Sequence, residues 1–341
     1  MPQPKAALHR VLRLAKFLLD IAAGGAAIAT LVGFAGSLWW VFGLLDHPRP
    51  QYGLILVSAI VVGGISRRAW SFLWCLPLVL NLVLIVPLFF SLDQSSTFKA
   101  QANPTVGSTL RIVHANLDRD NEDPTQAIQY LETQNVDLML LQEITPKWLT
   151  TLQSALPQYR VVASEPRENS QGSAILVPVT ASKSVEVVAT QTLHLPSWSE
   201  RPMVEATIRW EGLEVAILSL QVTRPRNRDT SDFQQVEFDA VADWSLRQQK
   251  QNKRQVVVIG DFNSTPWSGR FRSFLHNSAL RNSQRGFGLQ PTWRAGLPSV
   301  LMIAIDHCLH SKGITTINRA TGLNIGSDHL PLFVELRSRN N

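Results

Sequence analysis

Carboxylates, amides and imidazoles recur in this chain at the ends of apolar runs, a combination with a definite chemical use. "QVVVIG" is followed directly by Asp261, Phe262 and Asn263, and "VDLMLLQ" by Glu143. "TLRIVHA" leads into Asn116, "LMIAI" into Asp306-His307, and "SDHLPL" supplies Asp328 and His329. Carboxylate and amide oxygens suit a hard divalent cation, Mg²⁺ or Mn²⁺, which takes one or two carboxylates and completes its shell with water and substrate oxygens. Amide and imidazole donors can hold phosphoryl oxygens as charge develops on them. A remaining carboxylate can orient or deprotonate an attacking water. The chemistry these groups share is hydrolysis at phosphorus. Within "GDFN", alternation on extended backbone aims Asp261 and Asn263 to one side and Phe262 into the core.

Each residue also has a plainer reading. Asp261 alone is a turn residue and Asn116 a loop cap. His307 and His310 read as structural, and His114, alternating with Val113, as an ordinary strand residue. Of the tryptophans from Trp148 onward, Trp267 is the candidate for substrate contact because it closely follows "GDFN".

These residues need elements to hold them. From Thr109 the chain mixes short β-type runs with amphipathic helices. Asp123-Pro124 predicts a helix start, with Asp as N-cap and Pro at the first helical position. Residues 203–210 and 213–221 predict a hairpin around Glu211-Gly212. Residues 231–249 predict a helix with Phe233, Val236, Phe238, Val241 and Leu246 toward the core. Strands alternating with helices, plus antiparallel hairpins, predict an α/β (α+β) sandwich of two sheets over 109–341.

Before residue 92 the composition is different. Ile21 to Leu45 carries no charge, and about 20 apolar residues suffice to cross a bilayer. Residues 69–91 give a second such run, and 51–66 a shorter one reaching ~24 Å as helix. The expectation is a membrane region over 1–92 with about three transmembrane helices, then a polar linker at 93–108. Lys5, Arg10, Arg13 and Lys16 precede the first span, and Arg67 and Arg68 follow the second. With three spans both groups lie in the cytoplasm, which places the rest of the chain outside it, on a multi-pass plasma-membrane protein; with two, the rest would lie inside and Arg67 and Arg68 outside, against the positive-inside rule, so three are expected. Of the formal net charge of +6, residues 1–103 carry +5 and residues 104–341 only +1. A basic balance concentrated beside the spans reflects the bilayer as partner and is poor evidence for nucleic-acid binding by the larger part, which leaves nucleic acid the less favoured partner. Two distant cysteines, Cys75 and Cys308, exclude a disulfide framework.

"QE" after an apolar strand, "GDFN" followed by "TPWS", and a terminal "SDHLPL", in that order, resemble the endonuclease/exonuclease/phosphatase superfamily over roughly residues 109–338. This superfamily includes DNase I-like nucleases, base-excision-repair endonucleases, neutral sphingomyelinases and inositol polyphosphate phosphatases. The resemblance implies a four-layer α/β/β/α sandwich of the DNase I-like type. It implies Glu143 as main metal ligand, with Asn116 near metal and phosphate. Asp261 would position or deprotonate the water, Asn263 bind the phosphate, and His329 stabilise its charge. Asp328 would pair with His329 or reach the metal, and Asp306 support a catalytic His. One position departs: where many members carry His or Tyr, this chain has Gln221, which cannot act as a general acid near neutral pH. A leaving group that needs no proton, such as phosphate leaving a diphosphate, fits that change. Arg224, Arg226 and Arg228 follow, either to bind the extra phosphate or as a solvated basic loop. Membrane-bound members with this layout are thought to act on lipid-linked phosphates. The resemblance leaves open a lipid phosphoesterase, a nuclease, and an inactive domain that only binds.

Overall fold

The structure is a computed structural model describing residues 4–91, 109–180 and 185–339. The linker expected at 93–108 lies outside the described residues. The chain divides into two compact units, one of residues 1–87 with Trp267–Gly269 and the other of residues 88–266 and 270–341.

The first unit is helical: α1 (Pro4–Gly33), α2 (Trp40–Leu44), α3 (Arg49–Ile65) and α4 (Cys75–Ile85), the last between 3₁₀ segments Ala69–Trp74 and Val86–Phe89. Two stretches, Ala7–Gly33 and Ala69–Phe89, are long and apolar enough to cross a membrane, while α3 has only 17 residues. That corrects the expected three spans to two full-length ones. The first was also misplaced. It is not one helix over 21–45, because α1 starts at Pro4, runs through the basic residues and stops at Gly33. The turn beyond is possible because Gly36 packs on Gly43 so closely that a Cβ would lie 2.9 Å from the Gly43 Cα. Four buried polar residues of this unit are linked to one another. Arg49 donates from Nε to Asp46 Oδ1 at 3.0 Å and from Nη1 to Asn81 Oδ1 at 3.1 Å, and Asn81 Nδ2 donates to Thr30 Oγ1 at 2.8 Å. Most large hydrophobic side chains left exposed among the described residues precede residue 91.

The second unit opens with β1 (Leu110–Asn116), α5 (Thr125–Thr133), β2 (Leu138–Gln142), α6 (Pro146–Ala155), β3 (Tyr159–Glu165) and β4 (Ser173–Pro178). It continues with β5 (Val185–His194), β6 (Pro202–Trp210), β7 (Leu213–Gln221), α7 (Arg228–Lys250), β8 (Gln255–Asp261) and α8 (Gly269–Ser278). It closes with β9 (Arg281–Asn282), β10 (Asp306–His310), β11 (Ile314–Thr321) and β12 (Leu332–Ser338). One sheet has the order β11-β12-β1-β2-β4-β3 and the other β5-β6-β7-β8-β10-β9. Their facing sides pack Leu110, Ile112, Leu138 and Leu140 against Val215, Ile217, Val257 and Ile259. Helices α5 and α6 cover the back of the first sheet, α7 and α8 the back of the second. The result is the expected four-layer α/β/β/α sandwich, with the hairpin turning at Glu211 and Gly212, both at positive φ.

Two details differ from expectation. Helix α5 begins at Thr125 rather than Pro124, with the Asp123 carboxylate accepting from the Thr125 N–H at 3.0 Å. In α7, Val236 is exposed and Phe233 and Leu246 are half-buried. The buried face of α7 instead carries Gln234, Glu237, Ser245 and Gln248 beside Phe238 and Val241, because those polar chains reach loop carbonyls and amides.

The two sheets repeat one arrangement. β1 and β2 are parallel neighbours joined through α5, and β7 and β8 are parallel neighbours joined through α7. In one pair Asn116 lies opposite Gln142, and in the other Gln221 lies opposite Asp261. Ligands of such sheets bind beyond the carboxyl ends of the parallel strands.

Candidate active site

Period-two alternation builds the site. Along β1 the side facing the second sheet reads Leu110, Ile112, His114, Asn116; along β7 it reads Val215, Ile217, Ser219, Gln221; along β8, Val257, Ile259, Asp261. In each strand the inner face turns from apolar to polar at its last turn of pleat. The space between the sheets therefore ends in a polar floor. Gly260 allows β8 to come this close to β7: at φ +153 a Cβ would meet the Leu220 carbonyl oxygen at 1.8 Å.

Asp306, at the start of β10, lies directly opposite Asp261 on β8. Two facing carboxylates repel unless a cation offsets them, and His329 does so. Its Nδ1 sits 2.9 Å from Asp306 Oδ2, while Nε2 is 4.0 Å from Asp261 Oδ2 and 3.8 Å from Asp328 Oδ1. Burial would lower the His329 pKa, but the Asp306 carboxylate with its hydrogen bond, then Asp261 and Asp328, raise it to about 10. Burial would raise Asp306, yet His329 and the His114 hydrogen bond hold it well below the usual carboxylate range. Burial pushes Asp261 up to about 7, against the pull of His329. At neutral pH the cluster thus holds an imidazolium, a fixed carboxylate, and a second carboxylate poised to take or release a proton.

A second cluster centres on Glu143. Its Oε1 accepts from Asn116 Nδ2 at 3.0 Å and from Gln221 Nε2 at 2.9 Å, and its Oε2 from the Arg119 N–H at 3.3 Å. Glu143 sits at φ +60, a conformation costly for a non-glycine residue and concentrated at functional sites. The Gln221 Oε1 is buried without a hydrogen-bond partner among the described residues. Asp118, two residues after Asn116, has its carboxyl pushed up mainly by burial, and also by Asp328 and Glu143.

The remaining expected residues are less simply placed. Asn263 is not extended: at φ +45 it folds back, its amide donating to Val222 O at 2.9 Å and Asp261 Oδ2 at 3.0 Å while its N–H caps Asp261 Oδ1 at 2.8 Å. It holds Asp261 in place, and its amide hydrogens are not free for phosphate, a correction to the flat alternation expected. Phe262 does enter the core, among Phe238, Phe271 and Phe274. Asp328 accepts from Trp293 Nε1 at 2.8 Å, and Arg224 stacks on that indole 4.7 Å from its centroid. Arg226 and Arg228 belong to the start of α7: the Arg226 N–H bonds Thr230 Oγ1, and Arg228 pairs with Asp232 at 3.7 Å. Trp267 is buried and offers no open face. His307 is structural as expected, its Nε2 against the Ser264 carbonyl, with burial lowering it to about 3.

Three site residues escaped the sequence reading. His114 bonds Asp306 Oδ1 at 3.0 Å. Arg201 lies 3.3 Å from buried Glu237; burial lowers its pKa, and Glu237, Asp261 and Glu143 pull it back up, so it is a cation close to the carboxylates. Glu237 itself is pushed by burial to about 7, against Arg201. "SERPM" before a strand and a Glu inside an amphipathic helix carry no spacing that sets them apart.

The profile of the Endonuclease/Exonuclease/phosphatase family matches residues 113–329, more than half of the chain. The chain belongs to this family. Its members are hydrolases of phosphoric esters. No curated protein matches the chain in sequence. Among solved structures, D. rerio TDP2 humanized by 14 mutations is similar at 16% identity, covering 67% of this chain and 99% of its own, with a TM-score of 0.53. The human Nocturnin catalytic domain with bound sulfate is similar at 16%, covering 68% and 96%, with 0.55. A Bacteroides thetaiotaomicron mannosyl-6-phosphatase is similar at 16%, covering 67% and 99%, with 0.51. What the chain shares with these three is the DNase I-like fold.

Proposed function

We propose that this chain is a membrane-anchored, divalent-metal-dependent hydrolase of a lipid-linked phosphate or phosphodiester. The observation that carries the reading is the pairing of Asp261, buried and poised near neutrality, with the His329 imidazolium 4.0 Å away on one wall of a polar floor. Asp261 takes the proton of the attacking water. His329 Nε2–H and the amides of Asn116 and Gln221 hold the phosphoryl oxygens as their charge grows.

The donor set fits Mg²⁺ or Mn²⁺. Among the described residues no group of three or more His, Cys, Asp or Glu forms a closed cage. One carboxylate with neighbouring amides is what Mg²⁺ uses when water and substrate complete its shell. The Asp118 carboxyl is raised mainly by burial, with Asp328 and Glu143 adding to it. Glu143 and Asn116 would hold the ion, with Asp328 nearby, and it would offset charge on the phosphoryl oxygens.

Gln221 cannot protonate a leaving group, which favours departure of a group that is already a good anion, such as phosphate from a diphosphate. Arg224 at the rim can pair with that second phosphate. The two apolar stretches tether the enzyme beside its lipid. If α3, at 17 residues the short limit of a span, also crosses, the catalytic unit lies outside the cytoplasm of a plasma-membrane protein. The nuclease reading draws support from D. rerio TDP2, solved with a single-strand DNA product. The +1 charge of residues 104–341 weighs against it, since DNA binding leans on many cationic contacts. A purely binding domain would have no use for Asp261, His329 and Asp306 in this arrangement.

The test compares Mg²⁺-dependent phosphate release from a polyprenyl diphosphate with nicking of plasmid DNA, using full-length protein in detergent and Asp261→Ala beside it. Release that the substitution abolishes supports the lipid reading. Substitution-sensitive nicking without release transfers the protein to nucleic acid.

A further inference from the structure

His114 lies on β1, two positions before Asn116, with no solvent exposure. Its Nδ1 faces the Leu140 carbonyl oxygen at 3.2 Å and its Nε2 faces Asp306 Oδ1 at 3.0 Å. A carbonyl oxygen and a carboxylate oxygen can only accept, so both ring nitrogens donate: Nδ1 pins the ring to the backbone of β2 and Nε2–H holds Asp306 Oδ1. The opposite carboxylate oxygen, Oδ2, meets His329 Nδ1 at 2.9 Å. Asp306 is fully buried, and its main chain is fixed independently: its N–H donates to Thr292 Oγ1 at 3.2 Å and its carbonyl accepts from Arg319 Nη2 at 3.3 Å. The rotation of the carboxylate is then set by the two imidazoles, His114 on Oδ1 and His329 on Oδ2.

We infer that His114 is a positioning residue of the hydrolytic reaction, locking Asp306 so that His329 keeps Nε2 turned toward Asp261 and Asp328. The inference rests on the phosphoester-hydrolase reading above. His114 belongs to the sheet that carries Asn116 and leads into Glu143, and Asp306 to the sheet that carries Asp261. The hydrogen bond therefore also ties the half of the site that would hold the cation to the half that holds the base. Without it, one oxygen of a buried carboxylate loses its partner, a costly state that the side chain escapes by turning.

The test uses full-length protein in detergent, with Mg²⁺ and the best substrate found above. His114→Leu is expected to lower kcat by about ten- to a hundredfold, leaving KM within about twofold. His114→Gln, whose amide reaches Asp306, is expected to restore most of the rate, and His114→Asn, too short to reach, to stay slow. Because His114 acts through Asp306, His114→Leu combined with Asp306→Asn should be no slower than Asp306→Asn alone, whereas a general packing role predicts additive losses. If His114→Leu fails to fold, the Gln and Asn variants decide by the same measurements. Wild-type protein inactive on every phosphoester would remove the underlying reading. Active wild type with equal rates in the Gln and Asn variants, or with additive losses in the double variant, would overturn the role of His114.

Discussion

In the proposed reaction Asp261 and His329 set the pH dependence. As a base Asp261 must be ionised, and burial holds its pKa near 7; His329 must keep its proton, and its carboxylate neighbours hold its pKa near 10. Hydrolysis should therefore rise through about pH 7 and fall toward pH 10, measured as kcat against pH; a rate flat from pH 5 to 8 would contradict the assignment of Asp261. The stability effects have opposite windows. His329, raised from 6.5, contributes stability that is fully present below pH 6.5 and lost as pH rises toward 10. Asp261, raised from 3.8, lowers stability progressively between pH 3.8 and about 7, because the unfolded side chain loses its proton first. Asp261, Glu143, Asp306 and His329 were legible in the sequence because each ends or opens an apolar strand in a short motif. His114 was not, because a histidine alternating with valine reads as core until the second sheet brings Asp306 opposite. Asn263 was half legible: its place was right, but its positive φ turns the amide inward.

At the scale of elements, the site depends on how closely two strands approach. Gly260→Ala would drive a Cβ to within 1.8 Å of the Leu220 carbonyl and force φ away from +153. It should cost at least about 1–3 kcal/mol of stability and misplace Asp261, read as a lower Tm together with a lower kcat. An unchanged Tm would mean the strands do not meet there as described. The α7 helix and the β6–β7 hairpin were legible from periodicity and from Glu211-Gly212. The break after Gly33 was not, because an uncharged run looks continuous and the Gly36–Gly43 contact that ends it is tertiary. The inward polar face of α7 was hidden for the same reason: Glu237 and Gln234 are buried only because loop amides and carbonyls receive them.

At the scale of the whole molecule, apolar surface and catalytic groups are segregated along the chain, which is what a tethered enzyme needs. The abundance of exposed hydrophobic side chains before residue 91 is intelligible if lipid covers them. The proposed orientation predicts that Ser95→Cys, which follows the last apolar stretch in the sequence, is labelled by an impermeant maleimide on intact cells; labelling only after lysis would place the catalytic unit inside. The expected boundary near residue 92 rests on uncharged apolar runs giving way to polar sequence. The number of full-length spans could not be read in the same way, because a 16-residue apolar run sits at the boundary of what crosses.

The central claim is attack of water on phosphorus by the Asp261–His329 pair. It is tested most directly by hydrolysing a polyprenyl diphosphate in ¹⁸O-labelled water with Mg²⁺, and locating the label by mass spectrometry. The account predicts label on a phosphate oxygen, none on the alcohol, and loss of the reaction in Asp261→Ala and His329→Ala. Label on the polyprenyl alcohol, or an undiminished rate in either variant, would contradict it.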